Sequence, residues 1–100
     1  MREKKNYIEA AKKNEIIFRL ILDMFYKEHK NLSIEEIYNK YSEGSRYCIW
    51  TILNFEEKEP NIFEFAWEDI ACLSGTGSID LYTLENSILK HIKNIGCWMS

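Results

Sequence analysis

The stretch IIFRLILDMFYKEHKNLSIEEIYNKYSEGSRYCIWTILNFEEKE, residues 16–59, carries the strongest structural signals of this chain. Its first part continues a segment without glycine or proline, and we predict one long helix over about residues 4–29. Arg19 and Asp23 lie four residues apart and mark a polar stripe on that helix. The rest of residues 16–26 is apolar around most of the helix, so we expect this part to be covered on two sides.

A second helix is marked by a capping box. Glu36 follows Ser33 by three residues, so that the hydroxyl and the carboxylate can each satisfy a backbone N–H group. We predict a helix from there to about Tyr41. A short turn with Gly44 follows, and a third helix is predicted over about residues 46–57 because its apolar residues recur at three- and four-residue steps.

Residues 61–82 allow two interpretations. Asn61 and Glu64 could form another capping box, and a helix over residues 62–73 is the interpretation that we favour. However, aromatic and polar residues alternate from Phe63 to Trp67, which is the period of a strand, so a small β-hairpin is the alternative. A loop follows, and a last helix is predicted over about residues 84–95, from apolar residues at three- and four-residue steps: Leu81, Leu84, Ile88, Ile92 and Ile95.

These elements predict a mainly α fold, a compact domain of four to five helices that spans residues 1–100 as a single domain. Residues 15–58 resemble the winged-helix and helix-turn-helix superfamily in the spacing of a long apolar helix, a capped helix, a tight turn and a third helix. The resemblance implies a three-helix core and places the third helix where a recognition helix would lie. The residues that would then face DNA are Arg46, Tyr47, Trp50, Thr51 and Asn54.

The residues that could carry chemistry are few. Cys48, Cys72 and Cys97 are widely spaced, and neither histidine lies at a zinc-site spacing from a cysteine pair. The loop SGTGS, residues 74–78, lacks the lysine and the strand–loop–helix context of a phosphate-binding motif. We therefore predict no metal, no cofactor and no enzymatic activity.

The N-terminal residues do not form a secretory signal, and the longest apolar run, residues 16–26, is too short and too charged to span a bilayer. We predict a cytoplasmic protein that does not enter membranes. The abundance of Ile, Lys, Asn and Glu is typical of AT-rich coding sequences, which suggests a low-GC bacterium, or one of its phages or plasmids, as the origin.

Charge is distributed unevenly along the chain. Residues 56–85 contain eight carboxylates and one lysine, whereas the flanking segments are mildly basic. The acidic segment is interleaved with aromatic residues, and together they form the predicted partner-binding set: Glu56, Glu57, Glu59, Phe63, Glu64, Phe65, Trp67, Glu68 and Asp69. Such a surface repels DNA and suits a basic protein, because charge speeds the encounter and aromatic residues anchor the contact.

The leading functional hypothesis is a small non-enzymatic regulator or inhibitor that binds a basic, nucleic-acid-handling protein. Anti-CRISPR proteins, antitoxins and immunity proteins are similar in size and charge. The alternative, from the resemblance, is a helix-turn-helix regulator that binds duplex DNA. This alternative is the weaker one, because the third predicted helix has Arg46 as its one arginine and no lysine before Lys58, whereas phosphate neutralisation dominates DNA affinity.

We also predict that the chain forms a homodimer through Ile16–Phe25, because the apolar surface of this segment is wider than one core contact requires. Sedimentation at micromolar concentration should show a dimer. A clean monomer would mean that the segment is covered entirely by its own chain.

Overall fold

The computed structural model describes residues 4–41, 50–70 and 75–99. Three short helices, α1 (Ile8–Lys13), α2 (Glu15–Met24) and α3 (Ile34–Lys40), precede four strands. The strands are β1 (Trp50–Glu59), β2 (Ile62–Asp69), β3 (Thr76–Glu85) and β4 (Ile88–Met99), and they form one antiparallel sheet in the order β1-β2-β3-β4. The mainly α prediction is therefore wrong, and so is the helix-turn-helix core.

The helix predicted over residues 46–57 is described from residue 50 onward; over residues 50–57, and over residues 84–95, the helical predictions are wrong for a common physical reason, which is β-bulges. In β1 the extra residue Leu53 separates Ile52 and Phe55, so two core residues on the same face lie three positions apart. In β4 two shifts of the register with β3 leave Ile92 and Ile95 as extra residues. These two apolar residues lie three positions apart, which is a helical spacing although they belong to a strand. The bulges thus imitate helical periodicity.

The hairpins close with turns that suit their sequences. β1 and β2 are joined at Pro60-Asn61, where Asn61 has φ 62°. A type II turn favours proline at its second position and requires positive φ at its third. β3 and β4 are joined by Asn86 and Ser87, with φ 53° and 64°, as a two-residue type I′ turn requires.

The helices cover one face of the sheet, and aromatic side chains fill the space between the two layers. The ring of Phe18 lies 5.0 Å from that of Phe55, and Phe25 lies 5.2 Å from Trp50 and 5.7 Å from Phe65. Phe18, Phe55 and Phe65 are fully buried. The alternation of aromatic residues in 63–67 was therefore the correct signal: these residues form a strand, β2, which is one of the two inner strands of the sheet.

The long first helix is divided at Asn14, whose backbone leaves the helical region at φ −127° and ψ 48°. Within α2 one side is buried by the domain itself, at Ile17, Phe18, Ile21 and Leu22. The opposite side exposes Ile16 and Met24. The apolar residues of segment 16–26 therefore form two groups. One group lies in the core, and the other is exposed on the surface, where the predicted dimer contact would form.

The polar stripe of α2 holds the connection to α3. The Arg19 guanidinium donates hydrogen bonds to the carbonyl oxygens of His29 and Leu32, at 2.6 and 2.8 Å. The buried ring of His29 lies 2.5 Å from a carboxylate oxygen of Asp23. β1 is tied to the helical segment as well, because the Lys5 amide donates to the Leu53 carbonyl at 2.8 Å. In the described part of the chain the longest helix, α2, has ten residues, which is about half of what a bilayer requires.

The predicted capping box of α3 is confirmed. The Glu36 amide donates to the Ser33 hydroxyl at 3.1 Å, and the Ser33 amide donates to the Glu36 carboxylate at 2.9 Å. These two bonds depend only on residues three positions apart, which is why the sequence alone revealed them.

We expect Ser33→Ala to lower the free energy of unfolding by about 1 kcal/mol, because it removes the side-chain acceptor of the N-cap. Urea denaturation followed by circular dichroism measures the change. Ser33→Asp is the control, since aspartate caps as well as serine and should leave stability nearly unchanged. Equal losses in the two variants would contradict a capping role.

Candidate interaction surface

The residues of the predicted acidic-aromatic set lie on two sides of the sheet. Phe63 and Phe65 face the helices and are buried, and Trp67 packs half-buried against Phe25 at 5.6 Å. These rings belong to the core, so a partner does not reach Phe63 or Phe65 in this fold. Successive side chains of a strand point to opposite faces, so Glu64 between Phe63 and Phe65, and Glu68 after Trp67, face away from the helices.

We call the side of the sheet opposite the helices the open face. Glu64 and Glu68 of β2 lie on it, and the register pairs Glu64 with Glu56 of β1. All three carboxylates belong to the predicted binding set. Asp69 lies half-buried at the far end of β2, while Glu57 and Glu59 are exposed near the hairpin turn. One Glu57 oxygen accepts a hydrogen bond from the Asn61 amide at 3.0 Å.

The paired carboxylates of the open face share two donors. The Asn54 amide group donates to Glu56 at 2.9 Å and to Glu64 at 2.7 Å. The Lys58 ammonium lies 3.3 Å from Glu56 and 3.6 Å from Glu64. The Asn54 hydrogen bond, followed by the Lys58 contact, holds the pKa of Glu56 below its ordinary value of 4.5. The same contact raises the pKa of Lys58 above 10.5, so both groups are charged at neutral pH.

The described members of the recognition-helix set lie in a strand. Arg46 and Tyr47 lie outside the described residues. Trp50 begins β1 and is buried, with its ring 5.2 Å from Phe25. Thr51 and Asn54 lie on the open face, also buried. For Trp50, Thr51 and Asn54 the prediction that they project from a helix is wrong, because the apolar spacing that suggested the helix comes from the bulge at Leu53.

Two concavities of the open face are lined by residues that the structure describes. The first lies near the hairpin turns, has a volume of about 470 Å³ and is lined by Lys58, Glu59, Ile62, Leu81, Ile92 and Lys93. The second, which we call the central groove, has a volume of about 180 Å³ and is lined by Lys5, Leu53, Asn54, Glu64, Ala66, Ile79 and Trp98. Ile92 is 43% exposed. Apolar side chains thus lie beside carboxylates on this face.

Trp98 forms one wall of the central groove because β3 has a glycine beneath it. Gly77 pairs with Trp98 across the two strands, and a Cβ atom on Gly77 would lie 2.2 Å from the indole ring. The indole N–H of Trp98 donates to Glu68 at 3.3 Å. Sequence reasoning missed Trp98 as a surface residue, because the pairing that places it over Gly77 joins residues 21 positions apart.

A second polar cluster lies on β3 and β4, on the same face as the helices. Asp80 accepts hydrogen bonds from the Ser78 hydroxyl at 2.6 Å and from the Asn94 amide at 3.1 Å, and His91 Nε2 lies 2.8 Å from it. Burial opposes ionisation of Asp80, but these bonds together outweigh burial and hold its pKa below 3.8. Burial also raises the pKa of the neighbouring Tyr82 to about 12.

The order of contacts in this cluster differs from that of a hydrolytic triad. In a triad the histidine lies between the serine and the aspartate and takes the serine proton. Here Asp80 lies between Ser78 and His91, so the Ser78 hydroxyl donates to a carboxylate and does not contact the imidazole. The cluster therefore fixes side chains across two strands, and its geometry does not activate the serine as a nucleophile.

β4 is the outer strand of the sheet on its side. Its two bulges, at Ile92 and Ile95, interrupt the regular row of backbone groups, and Lys90 and Lys93 place charge along it. Bulges and lysines are features that oppose pairing with a further strand. The open face is consequently a better candidate for a partner than this edge.

The chain shows no significant match to any protein-family model, any curated protein or any solved structure. Its function is therefore inferred from the geometry of the described residues.

We expect Asp80→Asn to destabilise the fold by about 1–3 kcal/mol at pH 7, because it removes the charge from an acceptor of several hydrogen bonds. The folded pKa of Asp80 lies below its ordinary value, so its contribution is present above pH 3.8 and disappears as pH falls through the folded pKa. Urea denaturation of both proteins between pH 2.5 and 7 should therefore show a difference that shrinks in acid. A difference independent of pH would show that the charge of Asp80 is not involved.

Proposed function

We propose that this chain is a non-enzymatic regulator or inhibitor that binds a basic protein through the open face of its sheet. The observation that carries the proposal is the combination of side chains on that face. Three carboxylates, Glu56, Glu64 and Glu68, lie beside a partly exposed apolar surface that includes Ile92 and Trp98. An apolar centre with charged surroundings is the usual composition of a protein-binding surface.

The charges of the face favour a basic partner. Residues 50–70 carry six acids and one base, Lys58, while Lys5 and Lys93 also border the face. Opposite charge speeds association and disfavours wrong partners. We propose a nucleic-acid-handling protein as this partner, because such a protein has a basic surface and is a suitable target for an inhibitor. Duplex DNA itself would be repelled by the same carboxylates.

The polar cluster around Asp80 supports the non-enzymatic part of the proposal. A hydrolase requires a nucleophile in contact with a base. The Ser78 hydroxyl instead donates to Asp80, while His91 contacts the other oxygen of the same carboxylate.

The test is affinity capture from an extract of the native host, with the full chain and two charge-reversed variants. Glu56→Lys with Glu59→Lys changes the open face, and Glu9→Lys with Glu28→Lys changes exposed residues outside the sheet by the same net charge. We expect a basic protein to be retained by the parent chain and by the second variant and to be lost from the first. Retention should weaken as salt rises, because dissolved ions screen the attraction between exposed charges, at physiological ionic strength beyond about 8 Å and at higher salt over shorter distances.

Circular dichroism should show that both variants remain folded. Equal retention by all three proteins would contradict the proposal, since the open face would then be irrelevant. Equal loss from both variants would also contradict it, because net charge and not this face would determine binding.

A further inference from the structure

We infer that a second copy of this chain covers the exposed side of α2, and that Tyr26 of each copy inserts into a groove beside the N-terminal end of α2 in the other copy. This groove, which we call the helix-end groove, has a volume of about 490 Å³, and its lining includes Lys13, Ile16, Ile17, Glu57, Phe63 and Leu84. It lies on the helical side of the sheet, so a dimer of this kind leaves the open face of each copy free.

Tyr26 is a costly residue at the end of α2. The Tyr26 amide donates to the Asp23 carbonyl at 3.2 Å and the next amide donates to the Leu22 carbonyl at 3.4 Å, which closes the helix with a Schellman motif. Glycine usually occupies this position because φ is positive there, and Tyr26 has φ 54°. The tyrosine side chain is 96% exposed. Burial of the ring against another molecule is therefore the contact that would offset the strained backbone.

An apolar stripe connects Tyr26 with the helix-end groove. Ile16, Leu20 and Met24 recur every four residues, so they lie on one side of α2. Ile16 is 74% exposed and Met24 is 47% exposed, while Leu20 is half-buried. The groove opens beside Ile16, and Tyr26 follows shortly after Met24. A projecting ring and a groove thus lie at opposite ends of a helix of ten residues, about 15 Å apart.

This arrangement is complementary to itself under two-fold symmetry. If two α2 helices pack antiparallel about an axis near Leu20, the C-terminal end of each helix lies beside the N-terminal end of the other. Tyr26 of each copy then lies beside the helix-end groove of the other copy, and the same contact forms twice. An unrelated protein would need both a ring and a groove at this spacing, which a second copy has by construction.

The helix-end groove has the size and lining that a tyrosine requires. A cavity of about 150 Å³ holds a benzene molecule, so a groove of about 490 Å³ has room for a phenol ring. The buried ring of Phe63 and the half-buried Leu84 supply apolar surface, and aromatic pairs gain more than their buried area. Glu57 is exposed at the groove, and its carboxylate can accept a hydrogen bond from the tyrosine hydroxyl.

The charges at the two ends of α2 also favour an antiparallel pair. Residues 12–16 contain two lysines and one glutamate, whereas residues 23–28 contain two acids and one lysine. Antiparallel packing places the net positive end of one copy beside the net negative end of the other. Lys13 is exposed at the first end, and the Asp23 side chain, which contacts His29 through one oxygen, is 49% exposed at the second. Opposite charges at these positions fix the orientation of the two helices.

The area of such a contact is sufficient for a stable dimer. A buried tyrosine removes about 150–250 Å² from water, and the groove that receives it loses a similar area. Two reciprocal insertions therefore supply roughly half of the about 1,600 Å² that a stable interface buries. The two apolar stripes, which meet between the insertions, extend the interface toward this area.

The experiment is sedimentation equilibrium of the full chain from low micromolar to several hundred micromolar concentration. We expect a monomer–dimer equilibrium with a dissociation constant on the order of micromolar. Tyr26→Gly removes the ring and should weaken the dimer at least about thirtyfold, as loss of a central anchor does. Tyr26→Phe keeps the ring and should weaken it less than about tenfold. Ile95→Ala is the control, because it removes a side chain that is 46% exposed on β4, outside the contact.

Stability separates loss of the contact from loss of the fold. Urea denaturation at submicromolar concentration, followed by tryptophan fluorescence, reports on the monomer. The midpoint of Tyr26→Gly should not fall below that of the parent chain, since glycine adopts a positive φ without strain.

A mixed sample of ¹³C-labelled and unlabelled chains shows the contact directly. Isotope-filtered nuclear Overhauser effects should connect the Tyr26 ring of one copy with the Leu84 methyl groups of the other. Three results would overturn the inference: a monomer at several hundred micromolar, a dimer that Tyr26→Gly and Ile95→Ala affect equally, or a dimer without contacts between Tyr26 and Leu84 across the two copies.

Discussion

Phe65 lies at the centre of the sheet, and its ring is enclosed on the helical side by three other aromatic rings. The centroids of Phe25, Trp50 and Phe18 lie 5.7, 6.2 and 6.4 Å away. A fully buried phenylalanine contributes about 3–5 kcal/mol relative to alanine, so this contact strongly favours one register of β2. The position of every other side chain on the strand follows from it.

Side chains along β2 point alternately to the core and to the open face, so the packing of Phe65 also determines which residues the open face presents. Because neighbouring side chains point to opposite faces, placing Phe63 and Phe65 in the core places Glu64, Ala66 and Glu68 on the open face. A shift of one residue would bury the carboxylates against the helices, which is too costly without partners. The core and the candidate interaction surface are therefore two consequences of one alternating sequence.

Local signals in the sequence were sufficient for local structure. The capping box at Ser33 and Glu36 needs only residues three positions apart, and the turn residues at Asn61 act through their own backbone. The predicted acids of the open face, Glu56, Glu64 and Glu68, could be found because acidic residues cluster along the chain. Their position on the face opposite the aromatic residues would have followed from applying the two-residue period of a strand to this segment.

The remaining features could not be predicted because they depend on bulges and on distant pairing. The extra residues Leu53, Ile92 and Ile95 give strands the spacing of helices, and no local rule distinguishes the two in a single sequence. The central groove requires Trp98 to lie over Gly77 and beside Ala66 and Ile79, which come from three different strands. Only the assembled sheet brings them together.

The central claim is that β1 and β2 present aromatic side chains to the helices and carboxylates to the open face in one register. Side-chain nuclear Overhauser effects measure this directly. The account predicts contacts of the Phe65 ring with Phe18 and Phe25, and contacts of the Trp98 indole with Gly77 but not with Phe65. Contacts between Phe65 and Trp98, or helical chemical shifts over residues 50–69, would contradict it.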